Sequence, residues 1–95
     1  MNLSQCNRTT ACFLTYCSQR ALGIKEIRFV ANEGCSHEKS YDVYFEPKFF
    51  FVVKQAANCA GAELGEYQNI EEGCVTLLGQ DFDEGVWKLD WRKDV

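Results

Sequence analysis

The 95 residues predict an α+β domain: one antiparallel sheet of about five strands packed against an N-terminal helix, with room for a second short helix. Three observations carry that prediction. Apolar side chains recur at three- and four-residue steps near the N-terminus. They alternate with polar ones in several short later segments. Glycine-containing polar stretches separate those segments, with no repeat, linker or low-complexity tract between them. The length fits a single domain spanning residues 1–95.

The elements follow in order. In residues 5–22, "QCNRTTACFLTYCSQRAL", Cys6, Thr10, Phe13, Cys17 and Ala21 form one stripe of a helix, extended back to Leu3. Ser4 is placed to cap it and Gly23 to stop it. "IKEIRFVA" (24–31) alternates, with Ile27, Phe29 and Ala31 on one face. "YDVYFE" (41–46) alternates as well, and the two read as an antiparallel pair joined by a polar loop. After Pro47, five consecutive aromatic and β-branched residues favour a strand over 48–54. The spacing of Phe49, Val52, Val53 and Ala56 would also suit a helix starting at the proline. "AANCAGAEL" reads as a short helix and "GEYQNIEEG" as a turn. "CVTLL" (74–78) and "VWKLDWR" (86–92) read as strands of a C-terminal hairpin around the loop "GQDFDEG". The predicted core face carries Ile27, Phe29, Val43, Phe45, Phe49, Phe51, Trp87, Leu89 and Trp91.

The strand reading of 48–54 leaves Phe50 and Val52, together with Tyr44, on the sheet's second face. Full burial of one such side chain is worth about 1.5–3 kcal/mol, so this face calls for cover. The short helix, a second copy of the chain, another protein or an apolar ligand would supply it.

Charge narrows the partners. The net charge is −4, and no Lys or Arg occurs from Gln55 to Trp87, where Glu63, Glu66, Glu71, Glu72, Asp81, Asp83 and Glu84 all fall. Phosphate backbones require cations, so nucleic acid is not an expected partner, whereas a basic protein surface is. No stretch approaches the roughly 18 apolar residues of a membrane span. The N-terminus lacks a basic leader followed by a clean apolar block, so a cytoplasmic location is expected.

The six cysteines read as free thiols, mostly small core residues. On one helix Cys6 and Cys17 would share a face but stand roughly 16 Å apart, and Cys12 would point elsewhere. None is spaced as Cys-x2-Cys, so no metal site is expected. Cys35 and His37, the only histidine, are the one pairing that suggests a reactive thiol, because an imidazolium lowers a neighbouring thiol's pKa. "DFDEG" departs from the EF-hand loop, with its glycine one place early and Arg92 or Lys93 where a glutamate belongs. No glycine-rich phosphate loop occurs, and no cofactor is expected.

These features point to a small non-catalytic interaction module rather than an enzyme. It would engage a protein partner, or a second copy of itself, through the face of Phe50, Val52 and Tyr44 or through the acidic residues named above. One form is an acidic inhibitor of a basic protein. The alternatives are a pocket for a small apolar molecule and a thiol-dependent activity centred on Cys35 and His37.

Overall fold

The computed structural model describes residues 5–33 and 39–89. It is an α+β domain with one antiparallel five-stranded sheet and two helices. The first helix, α1 (Arg8–Arg20), buries Thr10, Phe13, Leu14 and Cys17, spaced as one helical face. Asn7 is its N-cap: the side-chain oxygen accepts from the Thr10 N–H at 2.8 Å. That role had been expected of Ser4, which lies outside the described residues. The helix ends at Arg20, with the Ala21 amide bonded to the Cys17 carbonyl at 2.9 Å.

The strands are β1 (Glu26–Ala31), β2 (Ser40–Tyr44), β3 (Glu63–Asn69), β4 (Cys74–Leu78) and β5 (Gly85–Lys88). They lie in the order β3-β4-β2-β1-β5, every pair antiparallel. Phe29 faces Val43, which faces Val75, and Tyr41 faces Leu77, which faces Leu64. These register rows put Ile27, Phe29, Tyr41, Val43, Val75 and Leu77 on one buried face. Both helices contribute to the single core built on that face. The rings of Phe13, Phe29, Tyr41 and Phe82 form its aromatic centre, with Phe29 stacked on Phe82 at 5.0 Å and Phe13 edge-on to Phe29 at 5.3 Å.

Three sequence expectations are corrected. Residues 48–54 are not a strand. Pro47–Phe49 forms a 3-10 turn that leads into helix α2 (Phe50–Cys59). Phe49, Val53, Ala56 and Ala57 are buried, at spacings of four, seven and eight residues from the phenylalanine. Helical periodicity over ten residues therefore outweighs the β propensity of the five-residue run, and Pro47 supplies the fixed φ of a helix start. The leftover apolar side chains fall around the helix: Phe50 and Val52 are half-buried, and Phe51 is 67% exposed rather than in the core.

The second correction is β3. It occupies residues expected to be the end of a short helix and a turn. β3 is an edge strand, paired only with β4 and irregular between Leu64 and Gln68, so it buries little and shows little apolar alternation. The third concerns the C-terminal hairpin, which does not form. β5 pairs with β1, Ile27 facing Trp87, because β4 is already flanked by β2 and β3. Between β4 and β5 the loop drives Phe82, 3% exposed, into the aromatic centre, which carries the chain across to the far edge. Leu89 is buried and Trp87 half-buried, while Trp91 lies outside the described residues.

The loop is fastened to α1. The Asn7 N–H donates to the Asp83 carboxylate at 2.6 Å, and the Asn7 side-chain amide donates to the Asp81 carbonyl at 2.9 Å. The Asp83 N–H donates to the Thr10 hydroxyl at 2.8 Å, so the one fully buried threonine is satisfied.

Candidate functional site

Since the core occupies one face of the sheet, the alternate residues of each strand lie on the other. Register gives one row across it: Val86, Arg28, Tyr44 and Cys74 on β5, β1, β2 and β4. The Arg28 guanidinium lies 4.4 Å from the centre of the Tyr44 ring, a cation–π contact between cross-strand neighbours. Tyr44 is 36% exposed and Val86 49%. Cys74 is buried, and its thiol is pushed up first by that burial and then by the Asp42 charge. The Tyr44 hydroxyl is pushed up in turn, chiefly by the charge of Cys74 in its thiolate form.

The neighbouring row is polar and internally bonded. The Thr76 hydroxyl donates to Asp42 at 2.8 Å, and the Asn32 amide donates to the same carboxylate at 3.1 Å. Beyond Tyr44, toward the start of α2, lies a groove of about 450 Å³. Tyr44, Phe45 and Pro47 supply its apolar surface, and Lys25, Glu26, Arg28 and Glu46 supply charges of both signs.

The expected site residues do not gather in one place. Tyr44 is on the open sheet face, whereas Phe50 and Val52 sit on α2 and pack against the core. The face expected to join all three therefore does not exist, because the residues after Pro47 coil instead of extending. Glu63 and Glu66 are exposed on edge strand β3, Glu71 and Glu72 are exposed in the following turn, and Glu84 is exposed just before β5. Two acids hold the fold. Asp81 pairs with Lys39 at 2.8 Å and accepts the Tyr41 hydroxyl at 2.6 Å. Those two bonds, Lys39 first, hold its carboxyl below the usual range. Asp83 caps the approach to α1 as described. Cys35 and His37 lie outside the described residues.

Sequence reasoning missed one pair. Cys12 on α1 and Cys59 at the end of α2 bring their sulfurs to 3.2 Å. They are 47 positions apart, and only the packing of the two helices brings them together. No cluster of three or more metal-ligating side chains occurs among the described residues, and no helix there is long and apolar enough to cross a membrane. No protein-family model matches the chain, and no curated protein or solved structure is significantly similar to it.

Proposed function

We propose that the chain is a non-catalytic protein-interaction module whose binding surface is the open sheet face around Tyr44, Arg28 and Val86. The observation that supports this is that row itself. A half-exposed tyrosine under an arginine, next to an exposed valine, forms a cross-strand row on a sheet face that neither helix covers. Tyrosine and arginine are the residue types most enriched where interfaces concentrate their binding energy. A sheet face also presents its side chains in fixed rows over a broad area, which suits a protein surface. The face carries both signs, Arg28 and Lys88 against Glu26 and Asp42. It is therefore suited to a mixed-charge surface, a second copy of the chain among them.

A photo-crosslinking residue at position 86, with the same residue at Leu22 as control, tests the reading in cells that express the chain. Leu22 is 72% exposed but lies in the turn after α1, away from the sheet face. The reading expects a discrete protein adduct from position 86 that is lost on Arg28→Glu. An adduct at twice the chain mass identifies self-association. Equal labelling from both positions, or none from position 86, rejects the open face as the binding surface.

A further inference from the structure

We propose that Cys12 and Cys59 form a redox-active dithiol that is oxidised to an intramolecular disulfide by small anionic disulfides of the glutathione class. The helices meet antiparallel, and two contacts fix their register. Cys12 meets Cys59, and one turn further along α1 the Tyr16 hydroxyl donates to the Gln55 side chain at 3.0 Å, one turn earlier on α2. α2 is small on its buried side, where Ala56 and Ala57 lie in the core. At 3.2 Å the sulfurs need approach by only about 1.2 Å to reach the disulfide bond length of about 2.04 Å. Cys59 is the last residue of α2, followed by Ala60 and Gly61, so the backbone that must yield lies at a helix end rather than in its interior.

Access distinguishes this pair from the buried thiols. Cys17 is fully buried in the core, and burial pushes its thiol up to about 12. Cys59 is exposed and Cys12 half-buried. Both open onto a groove of about 330 Å³ whose other walls include Arg8, Thr15 and Tyr16. Arg8 stands one turn before Cys12 and places a fixed positive charge beside the groove, where it favours an anionic reagent, while the Cys12 thiol itself is pushed up, first by its contact with Cys59 and then by burial.

The chemistry divides between the two residues. The exposed Cys59 thiolate attacks one sulfur of the small disulfide RSSR. A Cys59–S–S–R bond forms, and RS⁻ leaves carrying the electron pair of the broken bond. Cys12 donates a hydrogen bond to the Cys59 carbonyl at 3.5 Å and already touches the Cys59 sulfur. It loses its proton to solvent and attacks that sulfur, expelling the second RS⁻. The two leaving thiolates take up the two protons released. The net change is protein(SH)₂ + RSSR → protein(S–S) + 2 RSH: two electrons pass to the small disulfide, and a dithiol reductant reverses the step.

The test incubates the folded chain with oxidised glutathione and follows free thiols, intact mass and melting temperature. The expected result is the loss of two thiols and of the mass of two hydrogens, with a single peptide link joining positions 12 and 59. The melting temperature should rise by roughly 10–20 °C and return after dithiothreitol, because the bond closes a long loop. Cys12→Ser should stop at the mixed disulfide on Cys59, gaining one glutathione. Cys59 is exposed, so Cys59→Ser is compatible with folding, and it should keep Cys12 unmodified on the same timescale. A link that uses another cysteine, including Cys35, or retention of all thiols in the wild-type chain, overturns the proposal.

Discussion

Gly73→Ala is the sharpest test of the backbone at the junction of sheet and second helix. Gly73 closes the turn into β4, its N–H bonded to the Ile70 carbonyl at 3.1 Å and its carbonyl accepting from Phe45 at 2.9 Å. Its φ is +72°, and a Cβ there would overlap the Phe45 carbonyl oxygen and stand 3.2 Å from the ring of Pro47. The left-handed conformation costs an alanine about 1–2 kcal/mol. The contact with Phe45 is backbone and cannot be relieved by a rotamer change, so the end of β2 must shift, at about 1–3 kcal/mol. The sum, about 2–5 kcal/mol, is a large share of the ~5–14 kcal/mol expected for a domain of this size. Gly79→Ala is the control. Its φ is +87°, but nothing lies within 4 Å of the added Cβ, so only the conformational part of about 1–2 kcal/mol applies. Urea denaturation of both variants measures the difference. Gly73→Ala should unfold at a distinctly lower urea concentration than Gly79→Ala. Coincident midpoints would show that the close approach of the turn to Phe45 is wrong.

Two further outcomes follow from the core and from the Tyr41–Asp81 hydrogen bond at its margin. Phe82→Ala removes the ring that contacts Phe13, Phe29 and Tyr41, and should destabilise the domain by about 3–5 kcal/mol with a large loss of near-ultraviolet circular dichroism; a change below about 1 kcal/mol would mean that the loop does not enter the core. Tyr41 is pushed up to about 12, first by its hydrogen bond to Asp81, so its phenol stays protonated in the fold after an unfolded tyrosine has ionised. The stability linked to it is present below pH ~10 and lost as pH rises toward 12, and Tyr41→Phe should flatten that decline. An absorbance titration in which all the tyrosines ionise together near pH 10 would contradict the Tyr41–Asp81 bond.

Much of the architecture was legible in the sequence because burial leaves a period. The helical stripe through Phe13 and Cys17 and the alternation through Ile27 and Phe29 and through Tyr41 and Val43 all reappear as core faces. The failures share a cause. Phe50, Phe51 and Val52 obscure the helical spacing of Phe49, Val53 and Ala56, because local apolar density says nothing about which side chains the fold leaves outside. β3 has one neighbour and a polar surface, so it carries almost no pattern. Strand order was harder still, since the pairing of β5 with β1 depends on where Phe82 anchors the intervening loop. At the candidate sites, Tyr44 and Arg28 lie on separate alternating segments, and only the register of β1 with β2 makes them neighbours. Cys12 and Cys59 are drawn together by helix packing alone, to which an argument confined to cysteines within one helix is blind.

The bonds from Asn7 to Asp81 and Asp83 also constrain how the chain matures. On a ribosome α1 emerges well before the residues that complete its cap and fill the ring cluster beside it, which follow it by more than sixty positions. Strand β1, next to the edge of the sheet, likewise waits for β5 before its outer side is paired. Vectorial folding from the N-terminus therefore has no finished subunit to build, and nascent chains stalled before residue 83 should be protease-sensitive throughout. Such a topology closes late and as a whole, with the slow search expected when distant segments must meet before either gains stability.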